Sequence, residues 1–242
     1  MTPTRRQSPA PDPGGERHTV PLGADQVTTA TIYRAASPAG HLLVLAHGAG
    51  AGQHHPFMTA IASQLAARGL DVVTFDFSYI HHRRKVPDRA PLLEACFGGV
   101  IDWAAGRDEF ASRRLLAGGK SMGGRMATHL AAAGFVARSG AGPAVGGVVT
   151  LGYPLHPPGK PLQLRSAHLG AIRAPWLIVQ GSRDTFGTPG ELRPVVDGLT
   201  AAVTLHVVEG GDHSFAIART PRDAVLTSVA DVVAHWADSS NL

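Results

Sequence analysis

Residues Leu115 to Arg125 read Leu-Leu-Ala-Gly-Gly-Lys-Ser-Met-Gly-Gly-Arg, and this stretch decides the fold of the 242-residue chain. An apolar run typical of a buried strand enters a turn at Gly119, and a helix-forming segment from Arg125 to Ala133 follows. The turn carries the pattern Gly-x-Ser-x-Gly, with Ser121 at its apex. Glycines on both sides permit a turn tight enough to lift the serine hydroxyl above the sheet. An ordinary glycine-rich turn, in which the serine only caps the helix, is the alternative.

Strands and helices alternate on both sides of this stretch. Such alternation predicts an α/β fold with a mostly parallel, doubly wound sheet. The connection between Leu151 and Trp176 is too short for a large lid domain, so we expect an open site at the carboxyl ends of the strands. Besides the central strand, the patterns predict one or two edge strands over 20–35, strands over 41–46, 71–77, 145–152, 176–181 and 203–208, and helices over 56–68, 91–105, 189–199 and 221–236.

Composition restricts the class of protein. The pattern predicts a flexible tail over residues 1–18 and a single domain over residues 19–242. The single cysteine, Cys96, lies in an apolar helical segment and is typical of a reducing compartment, which predicts a cytoplasmic protein. No apolar run is long enough for a membrane span. The net charge of +4 comes without a basic stripe interleaved with aromatics, so nucleic acid is not an expected partner.

Three residues that follow different predicted strands have the side chains needed for nucleophilic acyl transfer. Ser121 is the candidate nucleophile and His213, directly after the last strand, is the candidate base. Asp184, after the preceding strand, is the candidate acid that orients the base. Asp212 and Asp76 are rivals for this last role, although a residue adjacent to the base usually points elsewhere and Asp212 also suits a turn.

An acyl-transfer site also needs donors for the negative charge that develops on the carbonyl oxygen. The backbone amide of Met122 lies at the start of the helix after the turn, where negative charge is favoured. The second donor is expected in the loop after the strand at 41–46, where the Ala49 amide is the first choice and that of Gly50 the next. His47 is expected to brace this loop rather than to catalyse.

Further residues at strand ends are expected to surround the substrate. Lys120 precedes the nucleophile and either binds an anionic substrate or pairs with a nearby carboxylate. Tyr153 and Phe186 are predicted pocket walls, with core packing as the competing role. The basic stretch His81–Lys85 either flanks the pocket or is a solvated loop. The neighbouring histidines at 54–55 and 81–82 are not expected to form a metal site, since adjacent histidines rarely face one ion together.

Together these features resemble the α/β-hydrolase superfamily over nearly all of the chain past the tail. The stretches Gly119–Arg125, Leu151–Pro161 and Gln180–Asp184 further resemble a dienelactone-hydrolase-like branch. That branch includes the hydrolase-like domains of the eukaryotic testis-expressed protein and of subunit 3 of the nonspecific-lethal chromatin complex. The resemblance implies the hydrolase fold but leaves the substrate open. Dienelactone hydrolases proper use a cysteine nucleophile, whereas this chain has Ser121, so their lactone substrate is not carried over.

The sequence therefore predicts a serine hydrolase that cleaves a small acyl ester or thioester without a cofactor or metal. The expected partner is a small-molecule acyl substrate, with no membrane or nucleic acid involved. The alternative is a hydrolase-like scaffolding or binding domain without significant turnover, as the chromatin-complex relatives suggest, and it would bring a protein partner.

Overall fold

A computed structural model describes residues 14–23, 26–137 and 144–239. Within this part of the chain, one eight-stranded sheet is flanked by helices. The strands are β1 (Glu16–Gly23), β2 (Gln26–Tyr33), β3 (His41–Ala46), β4 (Leu70–Phe75), β5 (Arg114–Lys120), β6 (Gly147–Leu151), β7 (Trp176–Gly181) and β8 (Val203–Val208). The helices are α1 (Pro56–Ala66), α2 (Ser78–His81), α3 (Ala90–Ala105), α4 (Met122–Ala132), α5 (Pro189–Val196) and α6 (Arg222–Ser239), with 3₁₀ turns at Asp108–Phe110 and Leu169–Ala171.

The strands lie in the order β1-β2-β4-β3-β5-β6-β7-β8. β2 runs antiparallel to both β1 and β4, whereas the six strands β3 to β8 all run parallel to one another. β3, β4 and β6 consist almost wholly of buried residues because helices cover both faces of the sheet. The predicted α/β architecture with a mostly parallel sheet is thus confirmed.

The core has two layers, one on each face of the sheet. One layer packs α3, α4 and α5 against the sheet through residues such as Phe97, Met126 and Leu192. The other packs α1 and α6 against the opposite face, with Ile61 and Val229 among its buried residues. The division of the helices between two faces is what a doubly wound sheet requires.

The connection between β6 and β7 contains only the 3₁₀ turn Leu169–Ala171, and the described residues include no lid domain. None of the helices in the described ranges is long and apolar enough to cross a membrane. Ser121, in the turn at the carboxyl edge of the parallel strands, is partly exposed.

Several boundaries differ from the prediction. β1 begins at Glu16, so residues 16–18 of the predicted tail belong to the sheet, while residues 1–13 lie outside the described residues. The predicted edge region over 20–35 is a pair of antiparallel strands. α4 begins at Met122, where the helix start was expected for the Met122 amide, and it includes Gly123 and Gly124 ahead of the helix-forming segment at Arg125 because packing on the sheet overrides their low helix propensity. The stretch 81–85 begins at the last residue of the short helix α2.

Glycines at the turn before α4 allow three backbone segments to come into close contact. A Cβ placed on Gly119 would lie 2.5 Å from the carbonyl carbon of Gly123, and one on Gly123 would lie closer still to the Ala46 carbonyl oxygen at the end of β3. A Cβ on Gly124 would lie 2.7 Å from the carbonyl oxygen of Gly119. The glycines around Ser121 are therefore required because the turn packs too closely on neighbouring backbone to admit a side chain.

Replacing Gly123 with alanine should unfold the turn or lower the free energy of unfolding by at least about 3 kcal/mol, because the new methyl group meets rigid backbone. Denaturant unfolding of the purified variant measures this. Gly170→Ala is the matched control, since a methyl group at position 170 would have no neighbouring heavy atom within 4 Å, and its effect should stay within about 0.5 kcal/mol. Equal stability of the two variants would contradict the packing account.

Candidate active site

The strand order brings the loops that carry the candidate residues to one edge of the sheet. β3 lies beside β5 with Ala46 paired with Gly119, so the loop after β3 meets the turn at Ser121. β6, β7 and β8 continue from β5 in parallel, and the loops after them reach the same edge. Residues far apart in the sequence therefore meet around Ser121.

Ser121 holds a strained backbone conformation, with φ of 52° and ψ of −115°. This conformation is rare for a residue with a side chain and costs on the order of 1–3 kcal/mol. The backbone N–H of Ser121 donates to the Leu151 carbonyl at 3.1 Å, which ties the turn to the end of β6. The hydroxyl makes no capping bond to α4, and its Oγ lies 2.8 Å from Nε2 of His213. The structure therefore does not use Ser121 as a simple helix cap.

The imidazole of His213 connects Ser121 to a buried carboxylate. Nδ1 of His213 lies 2.7 Å from Oδ2 of Asp184 and donates to it, which leaves Nε2 to accept from the Ser121 hydroxyl. Asp184 is fully buried, and its Oδ1 accepts the backbone N–H of Phe186 at 2.8 Å. The three side chains predicted as nucleophile, base and orienting acid thus form one continuous chain of hydrogen bonds.

The two rival carboxylates have structural roles. Oδ1 of Asp212 accepts the backbone N–H groups of Ser214 and Ala216, which is the turn-forming role open to this residue. Asp76 accepts hydrogen bonds from the backbone and side-chain amides of Gln53. Neither carboxylate is hydrogen-bonded to His213, whose Nδ1 is occupied by Asp184.

The loop after β3 lies against the turn at Ser121. A Cβ on Gly48 would be 3.6 Å from the Cβ of Ser121, and Ala49 lines the same cavity as Met122. Gly50 has a φ of +72° and does not line that cavity. His47 braces the loop, since its Nδ1 donates to the Gly48 carbonyl and its Nε2 accepts the backbone N–H of Phe77. The two amides predicted to hold an oxyanion therefore belong to residues on one cavity wall.

Ser121 and His213 open onto a cavity of about 490 Å³, large enough for a small ligand. Phe186 forms part of its wall and stacks on the imidazole of His213, with ring centroids 4.2 Å apart and an interplanar angle of 29°. The predicted position of Phe186 beside the pocket is therefore what the structure shows. Met58 and Leu93 add apolar surface to the same cavity.

Two candidate pocket neighbours lie elsewhere. Tyr153 is fully buried, packs on Trp176 with ring centroids 5.4 Å apart and does not line the cavity, so its assignment as a pocket wall is wrong. Its hydroxyl donates to the Arg165 carbonyl at 2.7 Å. The basic stretch at residues 81–85 also lies outside the cavity wall, although Arg84 pairs with Asp88, which does line it.

Lys120 is a buried cation in the cavity wall, with 9% of its surface exposed. Its Nζ has no hydrogen-bond partner within the described ranges and lies 5.8 Å from the ring centroids of both Phe57 and Phe215. Burial lowers the pKa of Lys120 to about 8, and the charges of Asp184 and Asp212 oppose this only in part. Close pairing with a carboxylate, the structural alternative, is therefore not seen among the described residues.

Gln180 was missed by the sequence analysis although it holds the orienting carboxylate. It is fully buried at the end of β7, and its side-chain amide donates to Oδ2 of Asp184 at 2.8 Å and to the Gly187 carbonyl at 2.7 Å. Its Oε1 accepts the backbone N–H of Tyr153 at 2.7 Å. A polar residue closing the apolar run of β7, four positions before Asp184, was the available signal.

The described parts of the chain contain no group of three His, Cys, Asp or Glu side chains that could hold a metal ion. The histidines weighed as metal ligands have other neighbours. Nε2 of His54 lies 3.1 Å from a terminal guanidinium nitrogen of Arg17. The side chain of His55 caps α1 by accepting the backbone N–H of Phe57. The ring of His81 packs edge-on against that of His82.

Comparison with known families matches residues 39–238 to the alpha/beta hydrolase domain model. This match covers most of the chain and includes β3 to β8 with the whole Ser121 site. The chain belongs to this alpha/beta hydrolase family. The fold and the family together make the protein a hydrolase-type domain.

Solved structures of other α/β hydrolases share this fold. An α/β serine hydrolase homologue from Coxiella burnetii is 17% identical with a TM-score of 0.70, over 91% of this chain and 96% of that one. A dienelactone hydrolase from Anabaena variabilis is 20% identical with a TM-score of 0.69, over 92% and 97%. A serine hydrolase without a lid from Xanthomonas campestris is 18% identical with a TM-score of 0.67, over 94% and 95%.

Replacing Gln180 with leucine should lower the free energy of unfolding of this hydrolase by about 2–5 kcal/mol. The reason is that the buried Tyr153 N–H and Gly187 carbonyl lose their partners, while Asp184 loses a donor. Denaturant unfolding measures the loss, and the same exchange at the exposed Gln163 should change it by less than about 0.5 kcal/mol. A Gln180 variant as stable as the wild type would show that the network contributes little.

Lys120→Met should raise the free energy of unfolding relative to the wild type more at pH 7 than at pH 10. In the wild type, a lysine pKa lowered on folding makes the protonated state unfavourable in the native protein, and this cost fades between about pH 8 and the ordinary lysine pKa near 10.5. The gain in free energy of unfolding of Lys120→Met over the wild type should therefore fall by on the order of 1–3 kcal/mol from pH 7 to pH 10. Denaturant unfolding at both pH values checks this, with the exposed Lys160→Met as control. A pH-independent difference would contradict the account.

Proposed function

We propose that the protein is a serine-dependent carboxylic ester hydrolase that cleaves a small acyl ester or thioester. The observation that carries the proposal is the hydrogen-bonded chain from Asp184 through His213 to Ser121, which ends at the wall of a 490 Å³ cavity. The strained backbone of Ser121 adds support, since such strain is typical of functional positions.

In the first half of the reaction, Ser121 Oγ attacks the carbonyl carbon of the ester while Nε2 of His213 accepts the hydroxyl proton. Asp184 keeps the imidazole in the tautomer that leaves Nε2 free to accept, and it stabilises the imidazolium that forms. The backbone amides of Met122 and Ala49 are assigned to the developing oxyanion, because both residues line the cavity beside Ser121.

The tetrahedral intermediate collapses when His213 passes its proton to the leaving alcohol or thiol, which leaves the acyl group on Ser121. Water then attacks the acyl carbon, with His213 as the base, and the carboxylic acid is released. Every proton in this cycle moves through the one imidazole, so no cofactor or metal is needed for the chemistry.

The finer family placement is part of the same proposal. The stretches Gly119–Arg125, Leu151–Pro161 and Gln180–Asp184 support a place in the branch that includes the testis-expressed and nonspecific-lethal subunit 3 hydrolase-like domains. The serine at position 121 supports ester cleavage rather than a cysteine-dependent lactone reaction. The single cysteine supports a cytoplasmic location.

Ser121→Ala should abolish both turnover of a 4-nitrophenyl ester and labelling by a fluorophosphonate. An activated serine hydroxyl is the group that such a reagent phosphonylates, and loss of the nucleophile should lower kcat by about 10⁴- to 10⁶-fold. Intact mass after exposure measures the labelling, with one adduct expected on the wild type and none on the variant.

Ser214→Ala is the matched control, because Ser214 lines the same cavity while the imidazole of His213 is hydrogen-bonded to Ser121 rather than to the Ser214 hydroxyl, so the variant should keep both the adduct and turnover. Asp184→Asn should label more slowly and lower kcat by about 10⁴-fold, since the imidazole loses its fixed tautomer. A folded wild-type protein that neither labels nor hydrolyses esters would overturn the proposal in favour of a binding or scaffolding domain.

A further inference from the structure

The cavity beside Ser121 has an excess of positive charge. Lys120, Arg125, Arg165 and Arg222 all line it, and the carboxylate in the wall is Asp88. Asp88 is already held by Arg84, whose two terminal nitrogens lie 2.5 and 3.0 Å from the two carboxylate oxygens. An excess of cations in a cleft with low-dielectric walls attracts anions.

Arg125 and Arg165 are two cations of this wall whose backbone is fixed by hydrogen bonds beside the site. The backbone N–H of Arg125 donates to the Ser121 carbonyl at 3.0 Å, so Arg125 lies one turn of α4 beyond the nucleophile. The backbone of Arg165 is fixed at both polar groups, because its N–H donates to the Leu155 carbonyl and its carbonyl accepts the buried hydroxyl of Tyr153. Both guanidinium groups thus start from rigid backbone beside the site.

Within the described ranges of the chain, neither arginine has a carboxylate partner at ion-pair distance. Nε of Arg125 is buried and makes no hydrogen bond to those residues. Glu94, a carboxylate on the neighbouring helix α3, lies 2.7 Å from Nδ1 of His129 instead. A buried guanidinium donor without a partner is unfavourable, and sites that bind an anion are where such a donor gains one.

The positive charge of Arg125 contributes to lowered pKa values at two neighbouring basic groups, Arg165 and His168. Burial lowers the pKa of Arg165, and the charge of Arg125 lowers it further. The pKa of His168 falls to about 4, first through burial and then through the charges of His129 and Arg125. In both groups burial is the largest cause, and the positive charge of Arg125 acts in the same direction.

We propose that Arg125 and Arg165 form a subsite for an anionic group of the substrate, a carboxylate or a phosphate-type group. The proposal rests on the hydrolase function proposed above and narrows its substrates to esters that carry a negative charge within reach of these two arginines of the cavity wall. Guanidinium groups suit both kinds of anion, because their planar donors pair with two oxygens at once. Lys120 and Arg222 add positive charge to the same cavity.

Three 4-nitrophenyl esters of similar length test the subsite: hydrogen adipate, 5-phosphonopentanoate and the neutral methyl adipate. The wild type should have a kcat/KM at least about 10-fold higher for one of the charged esters than for methyl adipate. Whichever charged ester is preferred distinguishes a carboxylate from a phosphate-type ligand.

Arg125→Met and Arg165→Met should each lower the charged-to-neutral ratio of kcat/KM by about 10- to 100-fold. Arg125→Lys should recover part of that loss, since it restores the charge but not the planar fork. Arg193→Met on the exposed face of α5 is the matched control and should leave the ratio unchanged. A ratio near one in the wild type, or one that both arginine variants leave within about twofold, would overturn the proposal.

A binding measurement separates this proposal from the proposed function. Calorimetric titration of Ser121→Ala with adipate and with inorganic phosphate needs no turnover, and binding that Arg125→Met weakens at least about 10-fold supports the subsite even if no ester is cleaved. Ester hydrolysis without charge preference or arginine-dependent binding would retain the hydrolase and remove the subsite. No binding of either anion to Ser121→Ala, together with no charge preference, would overturn it.

Discussion

Close packing of the turn at Ser121 against the end of β3 is the constraint on which the rest of the site depends. Gly119 and Gly123 lack the side chains that would collide with this backbone, and the turn that results holds Ser121 in a strained conformation. The strain, on the order of 1–3 kcal/mol, is maintained because β3 and β6 hold the turn on either side. The direction of the Ser121 hydroxyl and the start of α4 follow from that single backbone arrangement.

A second dependence runs through the buried carboxylate of Asp184. An ionised carboxylate away from water needs donors, and it obtains them from His213, Gln180 and the Phe186 backbone. Gln180 also holds Tyr153, so the loops after β6 and β7 are tied to the group that orients the imidazole from the loop after β8. The geometry of the proposed base is therefore fixed by three loops together, and a change in one of them acts on the others.

The sequence was enough to predict the architecture and the three side chains that meet at Ser121, because apolar runs and glycine turns are local signals. The helix-forming segment alone begins at Arg125, whereas α4 begins at Met122, because a helix packed on a sheet can include Gly123 and Gly124 against their propensity. Tyr153 was misplaced because its position after a strand does not say which way the ring points, and only packing on Trp176 decides that. Gln180 was missed because its partners lie in separate loops.

Unpaired buried cations in the cavity wall lower the stability of the fold, but they can bind an anionic ligand. A stable interior pairs its charges, yet Lys120 and the Arg125 Nε are buried without hydrogen-bond partners in the described structure. Burial lowers the pKa of Arg165 and the charge of Arg125 lowers it further, so repulsion between the two arginines adds to that cost. Natural proteins retain such costs mainly where function needs them. An anionic substrate would reduce the repulsion and supply the missing hydrogen-bond acceptors at the same time. Its binding would therefore also stabilise this wall.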